Sequence, residues 1–120
     1  MAFMSQSEPA YTVRSASSGT LKRTITSVRN HNIIIDSPSI GEEITSGEAF
    51  FSGVASCGVT LIEGAAQEMG IPLKRMSVEM QAFRPTKPNT VIYDHVDANF
   101  VMHGVTQKQG EALLDRWRAG

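Results

Sequence analysis

The sequence predicts an α+β fold with segregated elements, and three observations predict it. Residues 10–36 carry β-type patterns broken by turn residues. Residues 46–69 form one helical stretch with a start and a stop signal, and residues 73–103 return to strict alternation before a last capped helix. The order is an N-terminal three-stranded antiparallel sheet, a long central helix, an antiparallel strand pair and a C-terminal helix, so strands and helices come in blocks and not as alternating βαβ units. The sequence holds no internal repeat and no low-complexity tract.

Residues 1–9 are polar and Met-rich and end in Pro9, as in a frayed leader or a tag remnant, which leaves residues 10–120 as a single domain. Tyr11 and Val13 share one phase of a first strand. Ser17-Ser18-Gly19 turns the chain, and Leu21, Arg23 and Ile25 begin a second. His31 to Asp36 forms a third, because Ile33-Ile34-Ile35 are β-branched and fit a pleated surface, and Ser37-Pro38 ends it. The long helix runs from about Ser46 to Met69. Thr45 and Glu48 stand as a capping box at its start, and Gly70-Ile71-Pro72 is a C-terminal stop. At about 1.5 Å per residue such a helix is a rod of roughly 36 Å.

Gly53, Cys57, Thr60 and Gly64 place four small side chains along one face of that helix, and Phe50, Val54, Leu61 and Ala65 form an adjacent apolar stripe. Each interior glycine costs about 1 kcal/mol relative to alanine, so either another backbone packs closely on this face or the glycines are drift. Beyond the helix, Met76, Val78, Met80 and Ala82 alternate with polar residues in a half-buried strand. A proline-punctuated loop at residues 84–89 leads to its antiparallel partner, with Ile92, Val96, Ala98, Phe100 and Met102 on one phase. Thr106 and Gln109 open the final helix, whose apolar side holds Leu113, Leu114 and Trp117.

Eleven basic against twelve acidic residues give a formal charge of −1, and the basic residues are scattered. Nucleic acid is therefore not an expected partner. One cysteine, Cys57, excludes an intrachain disulfide framework and a multi-Cys zinc site. The N-terminus has no basic cluster followed by an apolar run, and the longest uncharged apolar stretch, Ala49 to Ile62, falls short of the roughly 20 residues that span a bilayer. A cytoplasmic protein with no membrane partner is expected.

Cys57 lies well inside the helix, so the dipole at the helix start does little for its thiol and activation needs a neighbouring cation or donor. The alternative is a buried, inert cysteine packed as a small hydrophobe. His31, His95 and His103 show no metal-ligand spacing, and no metal is expected. A Cys-His hydrolase built on Cys57 with His31 or His95 is the remotest reading. Glu48 serves as a cap, with an acid or hydrogen-bonding role near Cys57 as the other possibility. Arg14, Arg23 and Arg29 lie on or between the first strands, solvated on the sheet face unless one of them pairs with the thiolate.

The segment RNHNIIIDSP followed by GEEITSGEAFFSGVASCGVTLIEGAAQEMGIPL resembles the osmotically inducible protein C / organic hydroperoxide resistance (OsmC/Ohr) superfamily. The resemblance rests on a strand ending in Asp36-Ser37-Pro38, a Gly-containing loop, Glu48, and a long helix with Val54-Ala55-Ser56-Cys57 in a small-residue run. It extends over nearly all of residues 11–120 and implies an OsmC-like domain in an intertwined homodimer, with sites at the subunit interface. It further implies Cys57 as peroxidatic nucleophile, polarised by Glu48 and by Arg14 or Arg29, with no cofactor. The superfamily's peroxidases tend to carry the acidic residue ten positions before the cysteine, here Gly47, whereas Glu48 stands nine before. They also carry a resolving cysteine just past the last helix, where this sequence stops at Gly120, so the resemblance implies a domain lacking its last strand. The expected function is a thiol-dependent organic hydroperoxide reductase of oxidative stress defence that uses an external thiol reductant. The alternative is a non-catalytic dimeric member that binds a small apolar ligand, with Cys57 only structural.

Overall fold

The computed structural model describes residues 8–84 and 93–120. Its elements follow the order β1 (Arg14–Ser17), β2 (Arg23–Val28), β3 (His31–Asp36), α1 (Ser46–Met69), β4 (Arg75–Phe83), β5 (His95–His103) and α2 (Gln107–Ala119). The chain divides into two compact units, one reaching to Ala49 and the other running from Phe50 to Gly120.

The first unit is an antiparallel meander in the order β1-β2-β3. Arg14 faces Ser27 and Ser17 faces Thr24 across β1 and β2, while Arg23 faces Asp36 and Val28 faces His31 across β2 and β3. Arg29 and Asn30 make the tight β2–β3 turn, both with positive φ (46° and 67°), because that geometry matches the twist of the flanking strands. β1 is shorter than its alternation predicts. Once β2 ends at Val28 and the chain turns, residues before Arg14 have little ladder left to join, so Tyr11 and Val13 lie outside the strand and are exposed. Leu21, expected in β2, sits instead in the loop closed by the Arg23 N–H donating to the Thr20 carbonyl (3.2 Å), and it too is exposed.

In the second unit β4 and β5 pair from Arg75 opposite His103 to Phe83 opposite His95. Residues 85–92, which hold most of the proline-punctuated loop and Ile92, lie outside the described residues, as does most of the expected leader. The core is Ile62 and Leu113, both fully buried, with Ala65 and Ala66 beside them. Trp117 and Phe100 meet edge to face at 5.3 Å against this cluster. The buried face of α1 is thus Gly58, Ile62, Ala65 and Ala66. Of the stripe expected from sequence only Ala65 is buried, and Phe50 and Leu61 are 65% and 56% exposed. The α2 capping box forms as expected, the Gln109 N–H donating to Thr106 Oγ1 and the Thr106 N–H to Gln109 Oε1. At Gly104 (φ 90°) a Cβ would stand 2.8 Å from the Pro72 carbonyl, so only glycine fits that turn.

By length and composition alone α1 is long and apolar enough to cross a bilayer, with a mean hydropathy of 1.4 over its most apolar window. The uncharged run ending at Ile62 understates it, since Glu63 interrupts the run without ending the helix.

Candidate active site

The approach to α1 is built around a carboxylate. Asp36 ends β3 with its side chain fully buried, and a buried carboxylate persists only where its oxygens are satisfied. Arg23, its cross-strand partner, supplies a fork: Nε–H donates to Oδ1 at 2.6 Å and Nη2–H to Oδ2 at 3.0 Å. The backbone N–H groups of Glu42 and Glu43 donate to Oδ2 at 3.2 and 2.9 Å. The Asp36 N–H in turn donates to the Ile44 carbonyl at 2.8 Å. The Arg23 hydrogen bond is the main reason that the Asp36 carboxyl falls from 3.8 to about 2, against the upward push of burial. The same bond holds the Arg23 proton more firmly than usual.

This clamp folds the loop after β3 back so that Thr45 arrives as the N-cap of α1. The Glu48 N–H donates to Thr45 Oγ1 at 3.2 Å, and the Thr45 N–H donates to Glu48 Oε1 at 2.9 Å. The predicted capping box is therefore present, and one Glu48 oxygen is engaged in it.

Cys57 is exposed on α1 and is a free thiol. Thr60 Oγ1 donates back to the Cys57 carbonyl at 3.2 Å, which turns the threonine hydroxyl onto the helix backbone. Gly53, Thr60 and Gly64, the rest of the small-residue face, are exposed as well, and a Cβ added at Gly53 or Gly64 would meet nothing within 4 Å. The close backbone expected on this face is thus not supplied by the described residues. Gly58 is the glycine that packs, facing Trp117 and Val78 at 4.0 Å.

Arg14 and Arg29 come together in the first unit, where both line one cavity of about 660 Å³. Arg23, which sequence reasoning left on a solvated face, is instead the partner of Asp36. Strand register was the missing signal, because the pair meets only once β2 and β3 are aligned. His95 stacks on Phe83 at 4.5 Å with its Nδ1 2.8 Å from Asp94 Oδ2. Among the described residues no group of three or more His, Cys, Asp and Glu side chains could hold a metal ion.

A three-stranded antiparallel meander, a long helix, a strand pair and a C-terminal helix in that order make an α+β fold that matches the fold of OsmC-like proteins. Solved structures bear this out. The OsmC-like protein of Mycoplasma pneumoniae superposes with a TM-score of 0.80 at 13% identity, over 92% of this chain and 82% of that one. The organic hydroperoxide resistance protein OsmC of Legionella pneumophila gives 0.70 at 15% identity, over 93% and 84%. A protein from Aquifex aeolicus gives 0.76 at 14% identity, over 92% and 80%. No family model and no curated protein matches the sequence.

Proposed function

We propose that the chain is a thiol-dependent organic hydroperoxide reductase, cytoplasmic and homodimeric, with Cys57 as its peroxidatic nucleophile. The observation that carries the reading is the exposure of Cys57 midway along α1, on a face of small side chains that lets a second molecule come close. The fold is shared with a Legionella protein named for organic hydroperoxide resistance. In this reading the Cys57 thiolate attacks one peroxide oxygen and the O–O bond breaks. Sulfur gives up two electrons to become a sulfenic acid, and the other oxygen leaves as an alcohol after taking a proton. An external thiol condenses with the sulfenic acid, releasing water and forming a mixed disulfide, and a second thiol restores Cys57 while leaving as the oxidised reductant. Glu48 and one of Arg14 and Arg29 would polarise the thiolate.

The dimer is supported by the apolar surface beside Cys57. Phe50 and Leu61 are exposed next to Gly53 and Gly64, a combination suited to close packing by another helix. A second reading, a non-catalytic dimeric module for a small apolar ligand, is favoured by the engagement of Glu48 in the helix cap. One experiment separates the two: cumene hydroperoxide consumption with excess dithiothreitol. The reductase reading expects turnover that Cys57→Ser abolishes. Equal rates in the two proteins would leave the binding module.

A further inference from the structure

We propose that the cavity lined by Arg14 and Arg29 in the first unit is a binding site for an amphipathic carboxylate, a molecule with one anionic end and an apolar body. The volume of about 660 Å³ lies within the range of small-molecule pockets. Its walls have two characters. The concavity is open to solvent: Pro9, Ala10 and Tyr11, all exposed, and half-buried Val28 supply apolar surface, and the two exposed arginines supply the only charges among its lining residues. No acidic side chain lines the cavity, and neither arginine is ion-paired among the described residues. Two uncompensated guanidinium groups beside one concavity favour an anion, and their planar forks suit a carboxylate.

The backbone fixes where Arg29 is held. Arg29 occupies a left-handed position (φ 46°) in the two-residue turn it shares with Asn30. A branched or long L-residue is disfavoured there, and asparagine or glycine would make the same turn at lower cost. The turn therefore holds a guanidinium beside the concavity at a conformational cost, one that the loop at Lys22 (φ 67°), away from the concavity, also carries. This inference goes beyond the proposed function, with which it shares the two arginines; binding of the carboxylate itself needs no reaction at Cys57.

The test is calorimetric titration of the full chain with decanoate, alongside 1-decanol and inorganic phosphate, repeated in a Cys57→Ser background so that its outcome is independent of peroxide turnover. Saturable decanoate binding is expected. Arg14→Gln and Arg29→Asn should each weaken it about tenfold or more, the scale of a lost charge-assisted hydrogen bond. Arg29→Asn should keep a Tm no lower than the parent, because it relieves the turn, so that lost affinity cannot be assigned to unfolding. The proposal is overturned by an absence of decanoate binding, by decanol binding as tightly as decanoate, by phosphate doing so, or by affinity that survives both substitutions.

Discussion

The two units of the chain are held together by opposite chemistry. In the second, the fully buried large side chains are Ile62 and Leu113, hydrocarbon against hydrocarbon. In the first, among the described residues, the fully buried large side chain is Asp36, a carboxylate, and the other buried residue is Thr26, whose hydroxyl meets Ser15 across the β1–β2 ladder at 2.7 Å. Ile25, Ile33 and Ile34 meanwhile remain about 40% exposed. A three-stranded sheet whose isoleucines stay partly solvated is organised by directional bonds, which fix geometry well and stabilise modestly. The hydrophobic unit should therefore dominate thermal stability, and the polar unit should dominate the placement of the loop that delivers α1.

The largest expected effect tests the hydrophobic half of that contrast. Ile62→Ala and Leu113→Ala each remove a buried side chain and leave a cavity, a loss of about 2–5 kcal/mol. Ile33→Ala or Ile34→Ala in the sheet should cost less, within about 1 kcal/mol, since both are partly solvated already. Denaturant unfolding, followed by Trp117 fluorescence for the second unit and by amide exchange in β2 and β3 for the first, measures all four. Similar losses in the two units would show that the sheet isoleucines are covered in solution.

The next effect belongs to the clamp. Because the folded-state carboxyl of Asp36 is drawn from 3.8 down to about 2, its contribution is fully present above pH 3.8 and is lost as the pH falls through 2. Asp36→Asn keeps the shape but removes the charge that Arg23 and the Glu42 and Glu43 N–H groups bind. The variant should show a flatter Tm between pH 4 and pH 2 than the parent, and faster amide exchange at Glu42 and Glu43 at neutral pH. An unchanged acid profile would mean that another carboxylate carries the dependence.

What the sequence made legible divides along the same line. Elements set by local signals were readable: α1 spans Ser46–Met69 because Thr45, Glu48 and Gly70 mark its ends, and β3 covers His31–Asp36 because its β-branched run stops at Ser37-Pro38. Features that depend on the meeting of distant residues were not. The Arg23–Asp36 pair needs the β2–β3 register, and the convergence of Arg14 with Arg29 needs the turn that follows β2. The buried face of α1 was not assigned by the apolar stripe through Leu61 and Ala65, because apolar residues stand on both sides of the helix and periodicity alone could not say whether Leu61 or Ile62 faces the core. For the candidate site, Cys57 and the Glu48 cap were visible in advance, whereas the neighbours that would tune the thiol were visible only as residue types.

The smallest expected effect is the one that bears most directly on the second molecule. Among the described residues of a single chain, Gly53→Ala and Gly64→Ala add a methyl group where nothing lies within 4 Å, and each should stabilise α1 by up to about 1 kcal/mol through helix propensity. If two copies pack their α1 helices through this face, the same methyl groups meet a neighbouring backbone, and overpacking of about 1–3 kcal/mol opposes the gain. The proposed dimer thus reverses the sign of an otherwise mild substitution. Sedimentation equilibrium should show weaker self-association in the double variant, while Gly58→Ala, whose Cβ would make ordinary contact with Trp117 and Val78, leaves association unchanged. A double variant that associates as tightly as the parent and melts at a higher temperature would place the subunit contact elsewhere on the chain, and with it the reason for keeping two glycines beside Cys57.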